Sequence, residues 1–211
     1  PRTATLIAFG AARGVTVHRA EVTEVTGKGT LTRGGPAAAA PPLDLLALVD
    51  PAKDTMMGVW KRTGAEVVKT SDTQGLLEFP YRPATEYDLT VEFTRTGSTG
   101  RPGAFLVVPT ADGPMSVNVA VTGRFGVGPG QHRLLPEFEM AFDRRYTVRV
   151  EVRRDRVTGY LDGRPFGEAK TGDAKLETPK PSPRDPAIPG FGTVNTAVVH
   201  RAEVTDVTGR G

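Results

Sequence analysis

Two segments of this chain, one near each end, have nearly the same sequence. Residues 9–29 read FGAARGVTVHRAEVTEVTGKG, and residues 191–211 read FGTVNTAVVHRAEVTDVTGRG, at a spacing of 182 residues. Self-similarity at a fixed spacing is typical of tandem arrays, whose units contact their neighbours. We therefore interpret residues 1–29 as the closing strand segment of a preceding unit. Residues 43–211 are then one complete unit.

The segment between the two units has the composition of a linker. Residues 30–42 read TLTRGGPAAAAPP and contain no hydrophobic period. A Gly-rich stretch is flexible, and consecutive prolines stiffen the chain that follows. Across the whole chain, 25 Gly and 18 Pro among 211 residues favour a fold with many turns. No cysteine is present, so disulfides play no part in the fold.

Hydrophobic alternation predicts strands rather than long helices. Residues 87–94, YDLTVEFT, are apolar at every second position, as in a strand with one buried face. Residues 104–109 are apolar at most positions, which favours a strand in the middle of a sheet. Residues 15–26 change phase at His18-Arg19, which predicts a β-bulge there and at the equivalent His200. The other predicted strands cover residues 4–9, 58–62, 66–69, 75–80, 115–121, 146–152, 157–161 and 200–207.

Three segments between these strands lack a clear strand pattern. Residues 43–49, LDLLALV, are either a short helix or an apolar strand, and Asp50-Pro51 ends the element. Residues 123–136 and 170–189 are predicted to be long loops. About ten short strands with turns between them indicate an all-β, antiparallel β-sandwich or barrel, since no helix is long enough for parallel crossovers.

The order of these pieces resembles a known fold family. A strand with Trp60 comes first, then YDLTVEF from Tyr87 and YTVRVEV from Tyr146. RVTGYLDG from Arg156 and a Gly-Phe-Gly loop before the closing strand complete the pattern. Over residues 43–211 the chain is similar to the concanavalin A-like and laminin-G-like jelly rolls. Within that group it resembles the bacterial 3-keto-disaccharide hydrolase-like domains of planctomycete multidomain proteins.

The resemblance implies a two-sheet sandwich whose first and last strands are neighbours in one sheet. It implies an extracytoplasmic or cell-surface location. It does not imply one activity, because this fold includes lectins, glucanases, lyases and adhesion modules. A second copy of the closing strand would expose apolar residues. We therefore expect residues 4–26 to pair with an edge of their own sandwich or with a neighbouring chain.

The strongest catalytic candidates are acidic residues in one short segment. In a strand, Glu137 and Glu139 would point to one face, about 7 Å apart. Asp143 would share that face if the strand continued. Two carboxylates at such a separation suit glycoside hydrolysis, and His132 in the Gly-rich loop is a candidate base. In the alternative interpretation these acids are solvated or paired with the two arginines that follow Asp143.

A carbohydrate-binding site would need an exposed aromatic ring with polar groups around it. Trp60 and Tyr160 are candidate aromatic residues, and Asn118 and Arg124 are candidate polar ligands. In residues 115–121, the valines 117, 119 and 121 are predicted to point inward, which places Asn118 on the opposite face. The alternative for Trp60 is a place in the core, as is usual for a single tryptophan in a β-sandwich.

Several other classes of function are disfavoured. Basic and acidic residues number 27 and 24 and are interleaved, unlike the clustered charge of nucleic-acid-binding proteins. No apolar stretch is long enough for a membrane helix. The three histidines lack metal-ligand spacing. Calcium could use Asp112 and Asp162, but each precedes a glycine and is explained by a hairpin turn.

The sequence leaves three functional hypotheses open. The first is a non-catalytic binding or adhesion module of a repetitive bacterial protein, with carbohydrate as its ligand and no cofactor. The second is a glycoside-active enzyme that uses Glu137, Glu139 or His132. The third is a structural spacer that contacts only neighbouring repeat units. An enzyme should place acids with perturbed pKa values in a cleft, which separates it from the other two.

Overall fold

A computed structural model of the chain describes six stretches. They are residues 41–97, 103–121, 123–129, 133–135, 140–176 and 180–207. The first copy of the repeat and nearly all of the linker lie outside them. The domain boundaries at 1–29, 30–42 and 43–211, and the pairing of residues 4–26, therefore stay predictions.

The described strands form two antiparallel sheets. In spatial order, sheet A consists of β13 (Arg164–Lys170), β12 (Arg156–Leu161), β11 (Arg145–Val152), β6 (Tyr87–Arg95), β15 (Ala197–Asp206), β4 (Glu66–Lys69) and β3 (Trp60–Thr63). Sheet B consists of β10 (Arg133–Leu134), β9 (Arg124–Val127), β8 (Gly113–Val121), β7 (Ala104–Thr110), β14 (Gly190–Thr193), β5 (Gly75–Glu78) and β2 (Thr55–Met57). β1 (Leu43–Asp44) pairs with β15, so the first and last described strands are neighbours, as the resemblance implied.

One apolar core lies between the two sheets. β6 alternates as predicted, and its inward side chains, including Leu89, Val91 and Phe93, are fully buried. The ring of Phe191 on β14 reaches across from sheet B. Its centroid lies 5.1 Å from that of Phe93 and 6.4 Å from that of Trp60. Alternation within strands and contact between their inward faces thus produce a β-sandwich of the jelly-roll type.

The predicted central strand is confirmed, and one predicted side-chain direction is wrong. β7 lies between β8 and β14 in sheet B. On β8, Val117 and Val119 join the main core, but Val121 packs on the outer face of sheet B. The backbone of Ala120 has a φ of +56°, and the register of β8 shifts between Asn118 and Val121. This irregularity reverses the direction of the next side chain.

Two glycine-rich segments predicted to be loops contain strands. Residues 123–136 include β9 and β10, and the Gly-Phe-Gly segment forms β14. The other predicted loop, residues 170–189, begins with the last residue of β13 and a 3-10 helix (Thr171–Leu176). β14 is bonded on both sides, to β5 and β7. Glycine weakens intrinsic strand preference, but partners on both sides supply the hydrogen bonds that the local sequence does not indicate.

The segment at residues 43–54 forms a two-residue strand, a turn and one helical turn. Leu43 and Asp44 are strand β1, and the chain then turns at Leu45. Pro51 does not end an element here, because it is the first residue of helix α1 (Pro51–Asp54). Asp50 caps this helix by accepting a hydrogen bond from the Ala52 N–H at 3.1 Å. In the part of the chain described, no helix is both long and apolar enough to cross a membrane.

The bulge predicted at the second copy of the repeat is confirmed. The register of β15 with β6 shifts between Val199 and Arg201, so His200 is the extra residue. Its Nδ1 lies 2.6 Å from Oε1 of Glu66 on β4, and its Nε2 lies 2.7 Å from Oγ1 of Thr94 on β6. The imidazole therefore connects three neighbouring strands at the bulge. The equivalent His18 lies outside the described residues.

A buried tyrosine makes the fold sensitive to alkaline pH. Tyr87 is 1% exposed and donates a hydrogen bond to the Pro109 carbonyl at 2.8 Å. Burial, and then the charge of Asp206, raises the pKa of Tyr87 well above its usual value near 10. The unfolded chain releases this proton at a pH at which the folded chain still holds it. The resulting stabilisation is complete below about pH 10 and is lost as the pH rises further.

We expect the free energy of unfolding, measured in urea, to fall steeply between pH 10 and 11. Tyr87→Phe should flatten this fall, at a cost of about 1 kcal/mol at neutral pH for the lost hydrogen bond. Tyr160→Phe is the control, because Tyr160 is partly exposed. This substitution should change the fall of the free energy of unfolding with pH less than Tyr87→Phe does. Equal slopes for the wild type and Tyr87→Phe would contradict the prediction.

Candidate functional site

The four side chains predicted to bind a ligand do not lie on one surface. Trp60 points into the core between the sheets. Tyr160 lies on the outer face of sheet A, where it contacts Arg149. Asn118 and Arg124 lie on the outer face of sheet B, on the adjacent strands β8 and β9. Alternation placed Asn118 on the face opposite the inward valines, but only the packing of the two sheets shows where the other three residues lie relative to it.

Trp60 is part of the core and is 5% exposed. Its indole Nε1 donates to the Met57 carbonyl at 2.9 Å. Its ring contacts that of Phe191 edge to face. Both the ring and its polar atom therefore have partners within the fold, and Trp60 does not offer a platform for a sugar.

Tyr160 belongs to a network of charges on sheet A. The guanidinium of Arg149 lies 4.5 Å above its ring, and its hydroxyl donates to Oε2 of Glu151 at 3.1 Å. Burial, and then the charge of Glu151, raises the pKa of Tyr160. Ion pairs continue along the same face at Arg149–Glu151 (2.8 Å), Arg153–Asp88 (2.7 Å), Arg201–Glu203 (2.5 Å) and Arg201–Glu92 (3.2 Å). These charges already satisfy one another, which reduces what this face offers to a ligand.

Asn118 and Arg124 lie beside a small apolar cluster on sheet B. Asn118 is opposite Phe105 on β7 and Gly126 on β9, and Arg124 is opposite Val121. Phe105 is 6% exposed, and it packs with Leu76 and Val107 on this outer face. Asn118 and Arg124 are therefore neighbours. The core separates them from Tyr160 on the opposite outer face, and Trp60 lies within that core.

The catalytic candidates His132, Glu137 and Glu139 lie outside the described residues. Asp143 is described, and it does not continue a strand. It lies in a turn with a φ of +55°, so the predicted continuation of a strand to this residue is wrong. Among the described residues, no group of three or more His, Cys, Asp or Glu side chains could hold a metal ion.

A cleft that the sequence did not indicate opens at one end of the sandwich. Three connections form its walls: the one between β5 and β6, the turn between β7 and β8, and the loop before β14. Its volume is about 480 Å³, within the range of ligand pockets. Small side chains line much of it, and the residues that define its chemistry are Arg82, Pro83, Thr85, Pro109, Thr110 and Pro186.

An ion pair adjoins this cleft. Nη2 of Arg82 lies 2.7 Å from Oδ2 of Asp185, and Nε of Arg82 lies 3.1 Å from the same oxygen. The Ala187 N–H, and then Arg82, lower the pKa of Asp185. The carboxylate is therefore ionised over the physiological range, and the Arg82 side chain is 74% exposed at the cleft wall.

Hydrogen bonds to acidic side chains fix the loops that form the cleft. Tyr81 Oη donates to Oδ2 of Asp206 at 2.8 Å, and the Ala84 N–H donates to Oδ1 of the same residue at 3.0 Å. On the other wall, Nη2 of Arg184 donates to Oε2 of Glu78 at 2.6 Å, and Glu78 is 3% exposed. The walls are thus held by contacts to strands β15 and β5. This gives the cleft a preformed shape.

The two sheets and their shared core define a jelly-roll β-sandwich, and the cleft opens at one end of it. No protein-family model matches the chain, and no curated protein matches it in sequence. The specific 3-keto-disaccharide hydrolase family is therefore not confirmed. The chain is similar to known proteins in its fold.

Solved structures show this similarity. The carbohydrate-binding module CBM66 from Bacillus subtilis has a TM-score of 0.51 and 17% identity over 72% of this chain and 94% of that module. Xylan β-1,4-xylosidase from Bacillus halodurans has a TM-score of 0.49 and 10% identity over 75% of this chain and 35% of the enzyme. Trypanosoma rangeli sialidase has a TM-score of 0.46 and 12% identity over 69% of this chain and 26% of the enzyme. The likeness to the Bacillus subtilis module establishes the fold.

Proposed function

We propose that this domain is a non-catalytic carbohydrate-binding module of a repetitive, adhesive bacterial protein, and that the sugar binds in the end cleft. The observation that carries the proposal is the cleft itself, which combines proline rings with the Arg82–Asp185 ion pair. The fold shared with a module whose name states carbohydrate binding supports this choice.

The chemistry of the cleft matches the two surfaces of a sugar ring. A pyranose or furanose ring has an apolar C–H face and a rim of hydroxyl groups. The rings of Pro83, Pro109 and Pro186 offer aliphatic surface to that face. Arg82 can donate to sugar hydroxyls, and Asp185 can accept from them. Hydrogen bonds that involve a charged group are stronger than neutral ones.

The ionised state of Asp185 favours binding over hydrolysis. Glycoside hydrolysis needs a general acid, whose pKa is raised so that it holds a proton at neutral pH. The pKa of Asp185 is lowered instead. The residues that line the cleft within the described part of the chain include no acidic side chain, so a pair of carboxylates flanking a scissile bond is not formed there.

The proposal is tested on a glycan array, followed by calorimetry with the best ligand. We expect Arg82→Ala and Asp185→Asn each to weaken binding by about tenfold or more, because each removes charged hydrogen bonds. Arg144→Ala is the matched control. Arg144 forms a similarly exposed ion pair with Asp162 at 2.6 Å, at the opposite end of β6 from the cleft. This control should bind as the wild type does.

Other results of the same experiment would reject the proposed site or function. Binding that is lost in Asn118→Ala or Arg124→Ala, and retained in Arg82→Ala, would place the sugar on the outer face of sheet B. Binding to no glycan at all would favour the structural spacer. Turnover of 3-keto-glycosides, abolished by Glu137→Gln or Glu139→Gln, would show an enzyme.

A further inference from the structure

The second copy of the repeat supplies an interior strand to each sheet. Residues 191–206, which we call the closing segment, contain most of β14 and all of β15. β14 lies between β5 and β7, and β15 lies between β6 on one side and β4 and β1 on the other. The closing segment therefore crosses from sheet B to sheet A and completes both. Residues 9–24, which we call the first copy, align with it residue by residue.

The first copy retains the side chains that the core requires. The closing segment points Phe191, Val199, Ala202 and Val204 inward, each at most 2% exposed. The residues at these positions in the first copy are the same: Phe9, Val17, Ala20 and Val22. Gly192 also has its equivalent, Gly10. A Cβ at Gly192 would lie 2.0 Å from the Phe105 ring, so this position requires glycine.

The first copy also retains the polar side chains that contact neighbouring strands. His200 contacts Glu66 on β4 and Thr94 on β6, and Arg201 pairs with Glu92 on β6. Histidine and arginine occupy the same positions in the first copy. These partners belong to other strands than β15 itself. Any strand with this sequence could make the same contacts in the same place.

We propose that the first copy of one molecule can occupy the position of the closing segment in a second copy of this chain. Two molecules related by a two-fold axis would each donate a first copy to the other, as in domain swapping. Residues 25–42 connect the first copy to β1 and can span at most about 60 Å when extended, which is enough to reach a partner molecule. Because Leu43 of β1 pairs with Val204, the same linker could also return to its own sandwich, and the sedimentation measurement described below distinguishes the two.

Sequence differences make the exchanged state the weaker one. Thr193 Oγ1 donates to the Gly103 carbonyl at 3.1 Å, and Thr196 Oγ1 donates to the Thr96 carbonyl at 2.5 Å. The first copy has alanine and glycine at these two positions. It also has valine where Ala197 is fully buried. The native closing segment therefore keeps its own place, and exchange becomes dominant when that segment is damaged.

The test damages each copy in the full-length chain. Gly192→Val with Ala202→Asp disables the closing segment, and Gly10→Val with Ala20→Asp disables the first copy. With only the closing segment disabled, we expect a β-sheet circular dichroism spectrum and a cooperative melt. Its melting temperature should be several degrees below that of the wild type, and the protein should sediment as a dimer. With both copies disabled, the cooperative melt should be lost.

Two results would overturn the proposal. If disabling the closing segment alone unfolds the chain as completely as disabling both copies, the first copy cannot replace it. If the variant folds as a monomer, the partner is not a second molecule. The variant with only the first copy disabled should melt as the wild type does, which controls for the substitutions themselves. None of these measurements involves a sugar, so they are independent of the proposed function.

Discussion

Gly192→Ala is expected to destabilise the fold by about 3 kcal/mol or more, because it overpacks the centre of sheet B. A Cβ at this position would lie 2.0 Å from one ring atom of Phe105 and 2.6 Å from the Gly75 carbonyl oxygen. β14 is bonded to strands on both sides, so it cannot move away without losing hydrogen bonds. Urea unfolding monitored by tryptophan fluorescence measures the loss.

Gly172→Ala is the control for this substitution. A Cβ at Gly172 would meet nothing within 4 Å, so its effect should stay within about 0.5 kcal/mol. Removing the ring in the double variant Gly192→Ala/Phe105→Leu should recover only part of the stability, because the Gly75 carbonyl remains. If Gly192→Ala is as stable as Gly172→Ala, the close packing of Phe105 on β14 is wrong.

Lys69→Ala should cost about 4 kcal/mol, because it removes a buried side chain and leaves three carbonyl groups without their donor. Lys69 is fully buried, and its Nζ donates to the carbonyls of Ser71, Thr73 and Asn195. Burial lowers the pKa of this lysine, which shows that the ammonium is held against a cost of desolvation. Its hydrogen bonds connect the loop after β4 to the loop before β15.

Lys69→Met separates the hydrogen bonds from the packing of the side chain. Methionine keeps much of the apolar stem, so we expect it to be destabilising but less so than alanine. The exposed Lys61→Ala is the control, since Lys61 lies on β3 with its side chain toward solvent. Urea unfolding of the three variants gives the ranking. If Lys69→Ala and Lys61→Ala had equal effects, the buried ammonium would not stabilise this end of the sandwich.

Alternation predicted those strands whose two faces differ in environment. β6 and β11 each have one face against the core and one face toward solvent, and both lie within a residue or two of the predicted ranges. The strands β2, β9, β10, β13 and β14 were missed because each is short or contains glycine. The hydrogen-bond partners of β14 come from distant parts of the chain. The information that makes it a strand is therefore not local.

The candidate site could not be predicted for the same reason, because the residues that form it come from distant parts of the chain. Trp60, Asn118, Arg124 and Tyr160 were chosen by residue type, and the packing of two sheets divides them among the core and two opposite faces. The cleft consists of prolines, small residues and one ion pair from three separate connections. Asp185 is 103 residues from Arg82 in sequence, and no pattern in either segment indicates that they meet.

The amino-acid sequence by itself determined that this chain forms antiparallel strands with a repeated closing element, because side-chain alternation and exact repetition are local properties. It also located the bulge at His200, since the phase of alternation changes there. Only the tertiary structure decided that the second copy of the repeat lies in the interior of both sheets and that a cleft opens where three loops meet. Those features depend on which distant strands pair. Which strands pair depends on how well the inward faces of the two sheets pack against each other in the core.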